Sequence, residues 1–436
     1  MAAGRELAVI GGGWAGLSAA VEATRRGDRV TLFEMAPQFG GRARDVVIDG
    51  LALDNGQHIC IGAYRETLRL LESVGVAESA AFERMPLRLP YPEGTGLALA
   101  GGPPAWAFAS AVLRHSGWRA GDKAALLGHA LRWSIARFDC DPALTVAALS
   151  KGLPVRVRAE LIDPLCVAAL NTPADAASAQ VFLRVLCDAL FAGRGSADLL
   201  LPRIGLGDVL PLPASRWLAA AGATLICGRR VEALDRDGAG WRVAGQAFDA
   251  VVLAASAREA ARLARPHAAA WADLAEALVH EPITTVYLRS AGTKLPAQML
   301  ALHAGDDAPA QFVFDRGQLG GPQGLLAFVV SGARGWAEQG NEATLAATRR
   351  QALAALSRWL DGPLLDVQVI TEKRATFRCA PGLQRPGLRI APGCVAAGDF
   401  VASPYPSTLE GAVRSGLAAA RAGEPMTTFS PMAVAS

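Results

Sequence analysis

Val9–Gly16 reads VIGGGWAG. The apolar run Leu7–Ile10 (LAVI) stops on three glycines, and an Ala-rich, helix-compatible stretch, Leu17–Arg26, begins behind them. An unbroken apolar run is what a strand buried on both faces requires. Gly11, Gly13 and Gly16 carry the G-x-G-x-x-G spacing, Gly27 closes the predicted helix, and RVTLFE forms a second strand ending on Glu34. A strand, a glycine turn, a helix and a second strand within about 30 residues make the setting in which this spacing binds a dinucleotide.

Each glycine has its own task in that reading. Gly11 permits the tight turn, Gly13 lets a pyrophosphate approach bare N–H groups at the positive end of a helix, and Gly16 lets helix and strand pack closely. The residues expected around the nucleotide are Gly11, Gly13, Trp14, Ala15, Gly16, Glu34 and Met35, with Glu34 accepting hydrogen bonds from a ribose. The alternative is a glycine-rich turn of an α/β fold with no ligand.

Further along, GGRAR (Gly40–Arg44) supplies a second glycine pair that lets the chain fold back over the nucleotide, with Arg42 or Arg44 free to neutralise phosphate. LDNGQH (Leu53–His58) precedes a helix-like run, and Gly398-Asp399 ends the apolar run CVAAGD. In STLEGAVRSGLAAA, Ser407 or Thr408 stands where a helix N-cap belongs. The glycine fingerprint, the acid, Gly-Gly-Arg and the late Gly-Asp together resemble the amine oxidase and phytoene desaturase superfamily of FAD proteins. DNGQHICIGAYRETLRLLESVG, LNTPADAASAQVFLRVLCDALF and LLLPRIGLGDVLPLPASRWLAAAGA are similar to the hydroxysqualene dehydroxylase family, over about Leu7–Gly416. The resemblance implies FAD as cofactor. It adds Gly41, Arg42, Asn55, Gly56, Gln57, His58, Val231, Gly398, Asp399, Thr408 and Leu409 to the expected cofactor site. In such proteins a small Gly-x-Pro element often follows the Gly-Asp strand, whereas this chain has Ser403-Pro404-Tyr405-Pro406, so the local wall of the flavin pocket differs.

The 436 residues suffice for two packed units. The expected fold is α/β: a Rossmann-type FAD-binding domain assembled from 1–85, 196–260 and 376–425, and a mixed α+β substrate domain made by the insertions 86–195 and 261–375. Residues 426–436 are expected as a flexible tail. In residues 222–254 the pattern gives a strand, a crossing, a hairpin turning at Asp237-Gly238 and the apolar strand AVVLA, with Val231 on a strand edging the adenine pocket.

Forty-three Lys and Arg against 40 Asp and Glu leave a net charge of +3, which gives no support to nucleic-acid binding. Seven cysteines, an odd number with no C-x-x-C pair, fit reduced thiols in a cytoplasmic protein better than a disulfide frame or zinc site. No secretory signal pattern opens the chain. The longest uncharged stretch, Gly94–Leu113, is interrupted by Gly101-Gly102-Pro103-Pro104 and is not read as a membrane span. A mean hydropathy of +0.25 calls either for a large Ala-rich core or for apolar surface facing a lipophilic ligand, a partner or a bilayer. The first insertion interleaves Trp106, Phe108, Trp118, Trp133 and Phe138 with Arg114, Arg119, Lys123, Arg132 and Arg137. That pattern fits either a solvated basic face over core or peripheral contact with the inner face of a membrane.

The family resemblance implies loss of an allylic hydroxyl from a C30 isoprenoid: protonation, departure of water, and hydride transfer from reduced flavin. An external electron donor is required, since no second dinucleotide fingerprint is present. An upstream squalene or hydroxysqualene synthase is an expected partner. The catalytic candidates are His58 as proton donor, Asp54 to orient it, and Tyr405 lining the ring face. A structural hydrogen bond, a turn cap and aromatic packing are the respective alternatives. Glu410, beside the predicted helix start, is read as stabilising a helix dipole, with a catalytic role as the alternative. Carotenoid desaturation, another flavin amine-oxidase-like oxidation, and non-catalytic prenyl-lipid binding are the competing functions on the same frame.

Overall fold

A computed structural model describes residues 4–422, so the predicted tail lies outside the described residues. Its central sheet has six strands in the order Thr224–Ile226, Arg29–Phe33, Glu6–Ile10, Ala250–Leu253, Cys394–Ala396 and Arg389–Ala391. The first five run parallel and the last is antiparallel. Every residue of Ala250–Leu253 is buried, as are Leu7–Ile10, because helices such as Trp14–Arg25 cover one face and strands Gly240–Val243 and Gln246–Phe248 pack on the other, with Phe33 edge-on to Phe248. The strands come from three distant stretches of sequence, with register Leu7↔Ala250 and Val251↔Cys394 locking them together.

Helix Trp14–Arg25 crosses from Glu6–Ile10 to Arg29–Phe33. Helix Leu409–Ala422 lies along it at very short range: a methyl on Gly416 would sit 2.1 Å from the carbonyl oxygen of Ala15. Only glycine permits that approach. The hairpin Leu234–Asp237/Gly240–Val243 turns at Asp237-Gly238, extended by Gln246–Phe248.

A second sheet of five antiparallel strands has the order Met299–Ala301, Phe312–Asp315, Leu325–Val330, His280–Arg289 and Leu365–Phe377. Helices Pro104–Arg114, Ala120–Ile135 and Ala179–Phe191 lie within residues 86–195. Asn171, in the left-handed region at φ 47°, ties its helix end to the second sheet. Its Nδ2 donates to Thr376 Oγ1 (2.9 Å) and to the carbonyls of Glu281 and Pro282, while its Oδ1 accepts from Gly332 N (2.6 Å). Among the described residues no helix is long and apolar enough to cross a membrane. All seven cysteines are free thiols.

Candidate flavin site

Helix Trp14–Arg25 starts at Gly13 with no side-chain cap and no acid in its first turn, leaving its first N–H groups to an external acceptor. A methyl on Gly13 would meet only Gly41 Cα, at 3.8 Å, whereas one on Gly11 or Gly16 would strike backbone at 2.4 or 1.8 Å. So Gly11 and Gly16 are required by packing, and Gly13 keeps a space open over the helix terminus. Glu34, buried at its strand end, accepts from Gly12 N (2.6 Å) and Ala36 N (2.7 Å). Each carboxylate oxygen keeps a second lone pair for a hydroxyl. Met35 stands exposed beside it.

The chain folds back as expected of Gly40-Gly41. Gly40 N donates to Gly12 O (2.8 Å), and Gly41 adopts φ 62° against Gly13. Arg44 follows with a buried Nε that has no hydrogen-bond partner. Arg42 turns instead toward the end of the chain. Its Nη2 lies 2.5 Å from Asp399 Oδ1 and its Nη1 donates to Ala375 O at 2.7 Å. Burial alone would raise the Asp399 pKa, but Arg42 and Ser407 hold it below the ordinary carboxylate value. Ser407 donates to its other oxygen. Thr408 is the N-cap of the closing helix, since its Oγ1 accepts from Gly411 N (3.0 Å), and Leu409 opens that helix.

Asn55 Nδ2 donates to Arg42 O (3.2 Å), and Gln57 accepts from Arg316 Nη1 (3.2 Å). Gly56, at φ 136°, offers its carbonyl to His58 Nδ1 at 2.8 Å. A carbonyl only accepts, so Nδ1 carries the proton and Nε2 is left with a lone pair. Burial, followed by Arg42, pushes the His58 pKa below its usual value, against the pull of the Gly56 carbonyl. At neutral pH the ring is therefore an uncharged acceptor.

Asp54 lies elsewhere. Its Oδ1 accepts from Leu206 N (2.9 Å), its Oδ2 has no hydrogen-bond partner, Arg316 is 3.8 Å away, and its carbonyl accepts from Tyr287 OH (3.0 Å). Burial pushes the carboxyl up to about 7, with Arg316 and the Leu206 N–H opposing. Its bonds clasp the 206 turn and do not reach the imidazole. Tyr405 accepts from Arg184 (3.1 Å), and the guanidiniums of Arg184 and Arg414 both lie 5.3 Å from its ring centre. Val231 is buried, but on an irregular connection and not on a strand. Gly228 turns the chain at φ 70°, after which Arg229 N donates to Glu34 O. Glu410 serves a different helix from the one expected: it accepts from Glu66 N, Thr67 N and Thr67 Oγ1 at the start of Arg65–Ser73.

Hydrogen bonds and close approaches thus link the glycine turn to Glu34 and to Gly40-Gly41, and Arg42 to Asn55 and to Asp399 before the closing helix. Sequence reasoning missed the second insertion's share. Ala375 offers its carbonyl to Arg42, Glu372 reaches Asn55 Nδ2 (3.4 Å), and His280 feels the charges of Arg42 and Asp399. Among the described residues no group of acids, histidines and cysteines could hold a metal.

Residues 14–422 match the family model described as flavin containing amine oxidoreductase. The chain belongs to that family. It is an FAD-dependent oxidoreductase with FAD as cofactor, and the chain's own features suit that group: uncapped N–H groups with open space above Gly13, and a buried Arg44 Nε with no hydrogen-bond partner. Over 95% of this chain it is 28% identical to a hydroxysqualene dehydroxylase of Sinorhizobium fredii, covering 97% of that protein. It is 29% identical to one of Rhodopseudomonas palustris, over 94% of this chain and 96% of that protein. Likeness to a zeta-carotene desaturase of Zea mays, 38% identical, covers 16% of this chain and 12% of that protein, too little to span either insertion. Among solved structures, an oxidoreductase from Methanosarcina mazei superposes with TM-score 0.70 at 16% identity, covering 95% of this chain and 99% of that one. Reduced UDP-galactopyranose mutase gives 0.68 at 17%, covering 95% and 94%. At such identities these two speak for the fold alone.

Proposed function

We propose that the protein converts hydroxysqualene to squalene. The observation that carries this reading is the end-to-end similarity to proteins bearing the name hydroxysqualene dehydroxylase, which extends through both insertions. In the reaction a C–O bond breaks and a C–H bond forms, with one proton and one hydride consumed and water leaving. When bound, reduced FAD supplies the hydride, and its two electrons come from an external donor. The residues of the chain position, desolvate and protonate. Arg42 and Asp399 fix the two ends of the chain around the cofactor. The apolar insertions hold the C30 chain without a charged anchor, each buried CH₂ contributing about 0.8 kcal/mol. His58 Nε2 accepts a hydrogen bond from the departing hydroxyl in the resting state, and delivers a proton once the ring is charged. Asp54 positions the Leu206 turn, and Tyr405 braces the loop before the closing helix. An upstream synthase supplies the substrate, and exchange of so lipophilic a molecule occurs at the inner face of a membrane.

The test is anaerobic incubation of the holoprotein with hydroxysqualene and a chemical reductant, with products identified by mass. Squalene is expected. A flavin that is reduced but leaves hydroxysqualene unchanged would overturn the reading.

A further inference from the structure

Five of the twelve large apolar side chains exposed among the described residues fall within residues 104–155: Trp106 (77%), Leu113, Leu131, Ile135 (74%) and Val155 (71%). They are ordered. Trp106 and Leu113 lie two turns apart on Pro104–Arg114, whose buried side is Ala107, Ala111 and Val112. Leu131 and Ile135 are one turn apart on Ala120–Ile135, whose buried side is Leu126, His129 and Trp133. Lys123 Nζ donates to Leu113 O (2.7 Å), joining the two helices where the first stripe ends. The short helix Val155–Val157 abuts the same corner, since Trp118 Nε1 donates to Glu160 Oε2 (2.8 Å) just beyond it.

Charge is concentrated there too. Residues 104–158 hold eight basic and three acidic residues, a net of +5 in a chain whose total is +3. Arg132 and Arg137 are exposed and have no ion pair among the described residues. A cavity of about 220 Å³ borders the first turn of Pro104–Arg114, lined by Leu87, Leu99, Pro104 and Ala107 with Arg194 and Asp198 on its polar side.

We propose that this corner is a docking surface for an anionic lipid bilayer, with the apolar stripes entering the headgroup boundary and the arginines facing phosphates. The choice of a bilayer over a protein rests on the proposed function, since a C30 isoprenoid resides in lipid. Charge complementarity favours the anionic surface independently.

The test is co-sedimentation of the full-length holoprotein with vesicles of phosphatidylcholine alone or mixed with phosphatidylglycerol. Binding to the anionic vesicles, weakened by salt, is expected. The double variant Leu131→Ser/Ile135→Ser should lower partitioning by about tenfold or more, and Arg132→Glu should act mainly on the anionic vesicles. Flavin content should stay unchanged, as should turnover of detergent-dispersed hydroxysqualene. Absence of wild-type binding, or variants that bind as wild type does, would overturn the proposal. So would a self-associated wild type that the double variant renders monomeric, because the corner would then be a contact between copies. If vesicles are bound but hydroxysqualene is not turned over, the proposed reaction fails and the docking surface stands.

Discussion

Arg42 Nη2 meets Asp399 Oδ1 at 2.5 Å, across 357 positions of sequence. The same guanidinium holds Ala375 O, so one side chain near the start of the chain binds the last strand of the second insertion and the Gly-Asp turn before the closing helix. Asp399 is nearly excluded from solvent, while the Arg42 side chain stays partly exposed. Arg42→Ala leaves a buried carboxylate without its partner, and about 1–3 kcal/mol of stability should be lost. Arg42→Lys keeps the charge but not the fork that serves both acceptors, and should fall between the two. Denaturant unfolding of flavin-free protein reads this, and an unchanged midpoint in Arg42→Ala would refute it.

The glycines separate fold from ligand. Gly13→Ala adds a methyl to open space at φ −74°, so flavin-free protein should unfold within about 1 kcal/mol of wild type. FAD affinity should nevertheless drop by about tenfold or more, or 1.4 kcal/mol. Gly16→Ala drives a methyl into Gly11 O and should destabilise the flavin-free protein itself by about 1–3 kcal/mol. Titration of stripped protein with FAD, alongside unfolding, distinguishes the two. Equal loss of stability in both variants would show that Gly13 is also a packing residue.

His58 predicts a pH dependence. Its pKa lies below the ordinary 6.5, so the protonated ring becomes populated only as pH falls beneath that value. If His58 delivers the proton, the chemical rate rises on acidification below 6.5 and His58→Gln flattens the profile. An unaltered profile in His58→Gln assigns the proton elsewhere. Stability runs the opposite way: the unfolded imidazole charges at about 6.5 and the buried one resists, so the neutral ring's contribution is present above 6.5 and lost as pH falls.

Asp54 should behave as a clasp. Asp54→Asn keeps an oxygen for Leu206 N and removes a carboxyl that burial already holds protonated up to about pH 7, so turnover should stay within about twofold of wild type. Asp54→Ala orphans that N–H and should cost about 1–3 kcal/mol. Because the folded pKa is raised, the favourable share of this group is full below about 4 and fades as pH rises through 7. A large loss of turnover in a stable Asp54→Asn would restore the carboxylate to catalysis.

Asn171→Ala should lose about 1–3 kcal/mol from its bonds to Gly332 and Thr376, with added strain at φ 47°. Asn171→Gly relieves the strain alone and should recover only part of the loss. Thermal unfolding of the pair measures the division, and equal melting points would mean that the strain contributes nothing.

The nucleotide-binding half was readable because its signals are local: an apolar run, glycines at fixed spacing, a helix and an acid occupy residues 7–34. The Asp237-Gly238 turn was readable for the same reason. Partners chosen over long separations were not. Nothing around Glu410 announces that it accepts from Glu66 and Thr67, 344 and 343 positions away. Nor does DNGQH reveal that Asp54 faces Leu206 while His58 turns back to Gly56. Val231 follows the arginine pair Arg229-Arg230 and reads as strand, but Gly228 has already turned the chain. The strand Leu365–Phe377 is half-exposed over most of its length with no clear burial period, so Glu372 and Ala375 carry no mark of their place at Arg42.

The strand Cys394–Ala396 fills the sheet beside Ala250–Leu253, and Gly416 seats the closing helix on the opening one. During synthesis the ribosome therefore presents the amino-terminal glycine turn long before its neighbours exist. The Ala250–Leu253 edge stays uncovered from its own synthesis until Cys394–Ala396 follows, and the outer side of helix Trp14–Arg25 stays uncovered until the closing helix is made. A chain released before the closing helix emerges would leave that helix face bare, which makes truncated products natural clients for chaperones and proteases.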